Sequence, residues 1–256
     1  MVKVLLCGCN GRMGRAVHNI ISSEKEMEIV AGVDPFQEVV NPYPVFASIK
    51  DVDVPCDVII DFSSSKTTDD LLDFCLKSGV PVVLCSTGLS DEQIERVNDA
   101  SKSIAILRSG NMSLGVNLIV KLLGEMTGVL TEAGFDVEIV EKHHKMKMDA
   151  PSGTALMLAD AVNDAAGGKY EYVYDRTERR AVRPENEIGI SAVRGGSIVG
   201  DHDVIFAGQD EVITISHRAY SRALFAKGAV SAAVFLAGKQ PGFYDMSNVI
   251  EESLSK

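Results

Sequence analysis

The chain has 256 residues and carries 25 Lys and Arg against 36 Asp and Glu, which gives a formal net charge of −11. This balance argues against a nucleic-acid binder and against docking on anionic membranes, because both usually need a basic protein. A hydrophobic content of 46% with 24% charged residues is typical of a packed globular protein and not of a disordered chain.

The apolar run at positions 1–7 is too short for a signal peptide and leads directly into glycines. No segment approaches the roughly 20 apolar residues that a membrane helix needs. The five cysteines are an odd number, lie beside apolar residues and lack the Cys-x-x-Cys spacing of zinc sites. We therefore expect a cytoplasmic protein with reduced thiols, no metal and no membrane partner.

In the first half of the chain, short apolar runs alternate with helical patterns. The patterns predict strands over 2–7, 29–34, 57–62, 81–85 and 104–107, and helices over 12–23, 67–78 and 91–102. Strands that alternate with helices predict an α/β fold, a Rossmann-like doubly wound parallel sheet.

The second half has a different pattern. A long apolar helix is predicted over 113–130, followed by strands over 137–140, 204–206 and 212–216 and a polar loop over 167–187. These elements predict an α+β domain with an open mixed or antiparallel sheet. An Ala-rich helix over 219–237 is expected to pack back on the first domain.

A glycine-rich turn follows the first predicted strand and opens the first helix. Its glycines, Gly8, Gly11 and Gly14, are spaced G-x-x-G-x-x-G, and Asp34 ends the second strand 20 residues after the last of them. Such a turn brings the backbone close to a pyrophosphate, and the acid accepts hydrogen bonds from ribose hydroxyls. The pattern predicts a dinucleotide site; the alternative is a tight turn that binds nothing.

The most unusual segment is 141–149, in which five of the six residues from Lys142 to Lys147 can carry positive charge. A helix is predicted over 155–166, with Ser152 as its N-cap. The amides of Gly153 and Thr154 would then point outward, which together with the lysines predicts a site for a carboxylate or phosphate.

His143 and His144 add groups that exchange protons near neutral pH. The alternatives are a solvated basic loop and a metal site. A metal is disfavoured because neighbouring histidines point apart and no carboxylate pair completes a ligand set. His18, His202 and His217 are interpreted as surface or structural residues.

The two motifs together resemble the 4-hydroxy-tetrahydrodipicolinate reductase family, also called dihydrodipicolinate reductase, over nearly the whole chain. The resemblance rests on the turn Gly-x-x-Gly-Arg-Met-Gly and on the segment from Glu141 to Ala155, which reads E-x-H-H-x-x-K-x-D-A-P-S-G-T-A. Positions 193–202 and 221–229 are also similar to the family.

The resemblance implies a role for each matching position. The catalytic residues would be His143, an acid/base, and Lys147, a proton donor. The residues implied to bind substrate are His144, Ser152, Gly153 and Thr154. The residues implied to bind the cofactor are Gly8, Cys9, Asn10, Gly11, Arg12, Met13, Asp34, Cys85, Ser86, Thr87, Ser109, Gly110, Asn111 and Met112.

The resemblance also implies a dinucleotide-binding domain over 1–112 and 226–256, with a substrate-binding and oligomerisation domain over 113–225. It implies a small dicarboxylate substrate, a homotetramer, and reduction by NADH or NADPH in lysine and diaminopimelate biosynthesis. Asp34 and the absence of a basic residue at positions 35–37 predict that NADH is used at least as well as NADPH. Two alternatives are another Rossmann-type dehydrogenase and a non-enzymatic dinucleotide sensor.

Overall fold

A computed structural model describes residues 1–255. The chain divides into two compact units. Unit 1 consists of Met1–Leu114 and the segment from Ala223 onward, and unit 2 consists of Gly115–Arg222.

The helices and strands follow in chain order. Up to the end of unit 1's first segment they are β1 (Val2–Cys7), α1 (Arg12–Ile21), β2 (Met27–Val33), β3 (Val45–Phe46), β4 (Val58–Asp61), α2 (Thr68–Ser78), β5 (Val82–Leu84), α3 (Asp91–Ala100) and β6 (Ala105–Leu107). Next come α4 (Leu114–Glu132), β7 (Asp136–His143), α5 (Gly153–Ala165), β8 (Glu171–Val173), β9 (Glu187–Arg194), β10 (Gly200–Ala207) and β11 (Val212–Ala219). The last are α6 (Ala223–Leu236), β12 (Gly242–Tyr244) and α7 (Met246–Leu254).

Unit 1 contains a seven-stranded parallel sheet in the order β12-β6-β5-β4-β1-β2-β3. Alternate residues of β1 face opposite sides, so Val4 and Leu6 pack with α1 and α6, while Leu5 packs with α2 and α3. The doubly wound parallel sheet predicted from the sequence is confirmed. The Ala-rich helix α6 packs in the core of unit 1, as expected.

Unit 2 contains a five-stranded mixed sheet in the order β11-β10-β7-β9-β8. β10 is antiparallel to β7 and β11, whereas β9 is parallel to β7 and β8. Helices α4 and α5 supply Leu123 and Leu158 to a core that also includes Ile139 and Phe206 from the sheet. A mixed sheet is one of the two arrangements that the sequence predicted.

Several elements differ from the sequence-based expectation. The segment predicted as a loop over 167–187 contains the strand β8, and the strand β9 begins at its last residue, Glu187. The last predicted helix begins at Ala223 and not at position 219, because Ala219 still pairs with Gly200 in the antiparallel ladder. Strands β3 and β12 and helix α7 had not been predicted.

The expectation that no segment reaches the length of a membrane helix is wrong for α4. This helix has 19 residues and is apolar enough to span a membrane by length and composition. It is weak evidence for a membrane span, because a core helix of a soluble protein passes the same test. Val116, Leu123 and Thr127 of α4 are buried within the structure.

Candidate functional site

All strands of the unit 1 sheet run in the same direction, so the loops that follow them meet at one edge. The order from β3 to β6 through β2, β1, β4 and β5 is that of dinucleotide-binding folds. After β1 the chain forms β2 and β3 on one side and then crosses to β4 on the other side of β1. The strand order therefore reverses between β1 and β4, which is the switch point where ligands bind in such sheets. The predicted cofactor residues follow β1, β2, β5 and β6 at this edge.

The glycine turn after β1 is so tight that side chains would not fit. Gly8 has a φ of 74°, and a Cβ on it would lie 2.6 Å from the carbonyl oxygen of Phe62. A Cβ on Gly14 would lie 2.1 Å from the carbonyl oxygen of Gly8. Gly11 precedes α1 without any side-chain cap. The first amides of α1 therefore have no side-chain acceptor at Gly11 and can bind a pyrophosphate.

Asp34 is buried beside this turn, with 6% of its surface exposed. Its carboxylate accepts hydrogen bonds from the amide of Asn10 at 3.0 Å and the amide of Phe36 at 2.9 Å. The Asn10 side chain donates to the carbonyl oxygen of Phe36. These bonds tie the glycine turn to the loop after β2. Each carboxylate oxygen has a second lone pair that can accept from a ribose hydroxyl.

A fully buried carboxylate, Asp61, links the loops after β4 and β5. It accepts from the amide of Ser63 at 3.1 Å and from the hydroxyls of Ser63 and Ser86. Burial raises the pKa of Asp61, although these hydrogen bonds oppose the change. The hydroxyl of Ser86 is thus held by Asp61. Thr87 is exposed.

The loop after β6 carries the remaining predicted cofactor residues. Ser109 is half-buried and Gly110 is exposed, whereas Asn111 and Met112 are buried. α6 packs directly against this loop, since a Cβ on Gly228 would lie 1.6 Å from the carbonyl oxygen of Met112.

A cavity of about 560 Å³ lies within unit 1 at this edge of the sheet. Gly8, Asn10 and Asp34 line it, together with Glu38 and the guanidinium-bearing Arg15. Arg12 and Met13 follow the turn, exposed and half-buried respectively.

Burial disfavours the thiolate form of the three cysteines at this edge of the sheet. Burial raises the pKa of Cys7, and burial together with the charge of Asp34 raises the pKa of Cys9 to about 11. Burial also raises the pKa of Cys85. All five cysteines are free.

In unit 2, the buried face of the sheet changes from apolar to polar along two strands. On β7, the buried residues Val137 and Ile139 are followed on the same face by Glu141 and His143. On β10, the buried residue His202 precedes Val204 and Phe206 on the equivalent face. A polar cluster at the end of an apolar core face has a cost in free energy, which is typical of a functional site.

The strand register brings this cluster together. Glu141 lies opposite His202 in the antiparallel pair of β7 and β10, and His143 lies opposite Arg194 in the parallel pair of β7 and β9. Ser152 joins them from the start of α5. We call Glu141, His143, Ser152, Arg194 and His202 the polar cluster.

Glu141 is the centre of the polar cluster and is completely buried. Arg194 binds both carboxylate oxygens at 2.7 Å, Nδ1 of His143 lies 2.6 Å from Oε2, and the amide of Ser152 donates to Oε1 at 3.0 Å. Burial opposes ionisation of Glu141, but the hydrogen bonds from Arg194 and His143 outweigh it and lower the pKa of the carboxyl group.

Ser152 and His202 form the opposite side of the polar cluster. The Ser152 hydroxyl accepts from the amide of Ala155 at 3.1 Å, which confirms Ser152 as the N-cap of α5, and lies 2.9 Å from Nε2 of His202. Burial and the nearby His143 lower the pKa of His202 to about 4, so its imidazole is neutral at pH 7. The hydroxyl of Ser152 is engaged within unit 2, and its assignment as a substrate-binding residue stays a prediction.

The predicted anion-binding residues lie between the end of β7 and the first turn of α5. Gly153 is exposed, and a Cβ on it would meet nothing within 4 Å. His144 is half-buried. The ammonium group of Lys147 lies 2.8 Å from the carboxylate of Asp149, and this contact lowers the pKa of Asp149.

The sequence assigns no role to Glu141, Arg194 or Asp61, and it predicts only a structural role for His202. The alternation of Val137, Ile139, Glu141 and His143 was a usable signal for Glu141, because a strand with that period buries all four. Within residues 1–255, no group of three or more His, Cys, Asp or Glu side chains is arranged to hold a metal ion.

Comparisons with known proteins agree with this arrangement. The family model described as dihydrodipicolinate reductase, N-terminus, matches residues 2–112, and that described as dihydrodipicolinate reductase, C-terminus, matches residues 115–250. A 4-hydroxy-tetrahydrodipicolinate reductase of Caldanaerobacter subterraneus subsp. tengcongensis is 50% identical over 252 residues, which cover 98% of this chain and 99% of the relative. A protein of the same name from Clostridium tetani is 48% identical over 96% of each chain.

A solved structure is also similar over nearly the full length. It is the dipicolinate-bound dihydrodipicolinate reductase from Paenisporosarcina sp. TG-14, with a TM-score of 0.80, 25% identity, and coverage of 97% of this chain and 99% of that one. With both family models and full-length relatives matched, the chain belongs to the dihydrodipicolinate reductase family.

Proposed function

We propose that this protein is a 4-hydroxy-tetrahydrodipicolinate reductase, an NAD(P)H-dependent oxidoreductase that performs the reducing step of lysine and diaminopimelate biosynthesis. The observation that carries this proposal is the buried polar cluster, in which a histidine is held beside the first turn of a helix. Full-length relatives that bear this enzyme's name support the same reaction.

The residues of unit 1 fit a dinucleotide. The cradle formed by Gly8 and Gly14 leaves room for a pyrophosphate, because a Cβ at either position would strike the backbone. Asp34 offers its carboxylate to a ribose, and Ser86 is held at the neighbouring loop by Asp61. NADH or NADPH, when bound, supplies the hydride for the reduction.

Unit 2 would bind the substrate through its carboxylates. The start of α5 presents the amides of Gly153 and Thr154 at the positive end of the helix dipole. Lys147 and His144 follow β7 and would add positive charge and hydrogen-bond donors. The structure of the Paenisporosarcina enzyme with dipicolinate supports a small dicarboxylate as the ligand.

Reduction of the substrate leaves negative charge that a proton must neutralise. His143 in its imidazolium form is suited to deliver this proton from Nε2, because Glu141 accepts the hydrogen on its other ring nitrogen and stabilises the positive charge. Lys147 is the second candidate donor. It would exchange its contact with Asp149 for a substrate carboxylate and keep its own charge in doing so.

Three finer points are part of the proposal. NADH is used at least as well as NADPH, since Asp34 and Glu38 both bring negative charge to the cavity of unit 1. The enzyme works in the cytoplasm, which the free cysteines favour. It forms a homotetramer through unit 2, in which the sheet ends at strand β11 with its outer edge unpaired among the described residues.

The experiment that tests the proposed function is a turnover assay. Freshly generated 4-hydroxy-tetrahydrodipicolinate is added to the protein and NADH, and the loss of NADH absorbance is followed. We expect turnover that depends on both reactants. NADH binding without oxidation would instead indicate a dinucleotide sensor, and oxidation only with other imines or semialdehydes would indicate a different dehydrogenase.

A further inference from the structure

Glu141 contacts His143, Ser152 and Arg194, although the proposed reaction assigns it no step of its own. One completely buried side chain contacts the imidazole of His143, the backbone of Ser152 and the guanidinium of Arg194. We propose that Glu141 is a positioning residue that aims His143 at the substrate and holds the start of α5 at a set distance from it. This inference rests on the proposed function, in which His143 delivers a proton and α5 binds a carboxylate.

The first effect of Glu141 concerns the tautomer of His143. An ionised carboxylate can only accept hydrogen bonds, so the Nδ1 atom 2.6 Å from Oε2 must carry a hydrogen. The bidentate contact with Arg194 keeps this carboxylate ionised despite its burial. Nε2 is then the nitrogen that can take up a second proton and pass it to the substrate, after which the ring is left neutral with its hydrogen on Nδ1.

The second effect concerns the orientation of the ring. The imidazole of His143 is held at Nδ1 by Glu141, and the ring of His202 packs edge-on against it with centroids 5.2 Å apart. Gly200 lies beside the other end of the ring, where a Cβ would come within 3.0 Å of Nε2. The ring is thus fixed, and the missing side chain at Gly200 leaves space beside the reacting nitrogen.

The third effect concerns α5. The amide of Ser152 donates to Oε1, while His143 contacts Oε2 of the same carboxylate. Ser152 is the N-cap of α5, so this bond sets the position of the first helical amides. A shift of the carboxylate would therefore move the proton donor and the anion-binding end of the helix together.

Two substitutions separate these effects. Glu141→Gln keeps the size of the side chain and an oxygen for the Ser152 amide, but it presents an amide donor to Nδ1. Nδ1 then stays without a hydrogen, which disfavours the imidazolium that could deliver a proton from Nε2. We expect kcat to fall by about 10-fold or more, with KM for the dicarboxylate within about twofold of wild type. Glu141→Ala removes both contacts and should also raise KM.

A double variant distinguishes an effect on catalysis from a loss of the fold. Glu141→Gln leaves the guanidinium of Arg194 without its carboxylate, so the double variant Glu141→Gln/Arg194→Gln is measured beside it. Circular dichroism and the Kd for NADH report folding independently of turnover. Both variants should bind NADH as wild type does and show the same loss of kcat. Loss of fold in both would assign Glu141 to stability and overturn the proposal.

Glu138→Gln is the matched control. Glu138 lies on the same strand and is paired with arginines 176 and 183, but it makes no hydrogen bond to the polar cluster in the described part of the chain. Its kcat should stay near that of wild type. An equal fall of kcat in the control would show that loss of any paired carboxylate on β7 impairs the enzyme, and would overturn the proposal.

A double-mutant cycle with His143→Gln is the decisive measurement. If Glu141 acts through His143, Glu141→Gln should cost no further kcat once His143 is replaced, whereas a structural role would lower kcat by its full factor in both backgrounds. Wild-type turnover with an unaffected Glu141→Gln variant would overturn the positioning role alone. Absence of wild-type turnover would contradict the proposed function itself.

Discussion

Lys147 and His143 are the two proposed proton donors, and their surroundings differ. His143 is buried with one nitrogen bound to Glu141, whereas Lys147 pairs with the exposed carboxylate of Asp149. An ion pair with one solvent-exposed partner contributes little stability, so Lys147 can exchange Asp149 for another carboxylate. These contacts favour His143 as the fixed donor and Lys147 as a residue that binds the dianion.

Replacement of Lys147 by alanine tests this division of roles. Lys147→Ala should raise KM for the dicarboxylate by about 10-fold or more, because a charge-assisted contact is lost, and should also lower kcat. Steady-state kinetics at saturating NADH measure both constants. Lys145→Ala, which removes an exposed lysine two residues earlier, is the control. An unchanged KM in Lys147→Ala would show that the dicarboxylate binds elsewhere.

For individual residues, the sequence alone predicts those members of the site that lie close to one another along the chain. The segment from His143 to Thr154 could be identified from its spacing of histidine, lysine and a helix cap. Arg194 and His202 could not be assigned to it, because they meet Glu141 only through the register of β9 and β10 against β7. A register between strands some 50 residues apart depends on tertiary pairing that no local pattern encodes.

Among the elements, strongly periodic ones were predicted and short ones were not. β1, α1, α2 and α3 agree with the sequence within a few residues. β3 has two residues and β12 has three, too few to show a period. α7 did carry a signal, because Asp245 and Asn248 form a capping box at its start.

The close backbone packing at Gly14, between β1 and α1, leads to a prediction about cofactor binding. Gly14→Ala places a methyl group 2.1 Å from the carbonyl oxygen of Gly8, so the turn must open. We expect the Kd for NADH to rise by about 10-fold or more, since overpacking of this kind costs roughly 1–3 kcal/mol. Fluorescence titration with NADH measures it. Gly124→Ala, at an exposed position of α4 with open space around it, should leave the Kd unchanged.

Burial of His202, where β10 pairs with β7, predicts that the stability of the protein depends on pH. Burial lowers the pKa of His202 to about 4, so between that value and the ordinary 6.5 the unfolded chain binds a proton that the folded chain does not. The contribution of His202 to the free energy of unfolding is therefore largest above pH 6.5 and decreases as the pH falls towards 4. When the pH falls from near 7 to near 5, protonation of His202 in the unfolded chain should lower the free energy of unfolding by about 1–2 kcal/mol.

Urea unfolding of wild type and His202→Asn at both pH values tests this contribution. The variant should lose less stability than wild type on acidification. His18→Asn, which removes a histidine from unit 1, controls for the loss of a histidine elsewhere. Equal losses in wild type and His202→Asn would show that His202 is not held neutral by the fold.

For the whole molecule, the charge of −11 raises the question of how an anionic ligand is bound. In unit 2, Lys147 and the start of α5 bring positive potential to one segment. In unit 1, the cavity has Asp34 and Glu38 at its wall with Arg15 as a cation. Local arrangement and not net charge decides what each unit binds.

Cofactor choice follows from the unit 1 cavity. The 2′-phosphate of NADPH would meet Asp34 and Glu38, so we expect kcat/KM for NADH to equal or exceed that for NADPH. Arg15 is the cation that lines the cavity, and Arg15→Ala should lower kcat/KM for NADPH more than for NADH. Kinetics with each cofactor at saturating dicarboxylate measure this. A preference for NADPH of about tenfold or more in wild type would contradict the role given to Asp34.

Transfer of deuterium tests the central claim of a dinucleotide-dependent reductase most directly. NADH that carries deuterium at the transferring position of its nicotinamide is incubated with the protein and freshly generated 4-hydroxy-tetrahydrodipicolinate, and the product is examined by mass spectrometry. We predict one deuterium in each tetrahydrodipicolinate formed, with one NADH consumed per product, and a slower rate in His143→Gln. Formation of product without deuterium, or oxidation of NADH without product, would contradict this account.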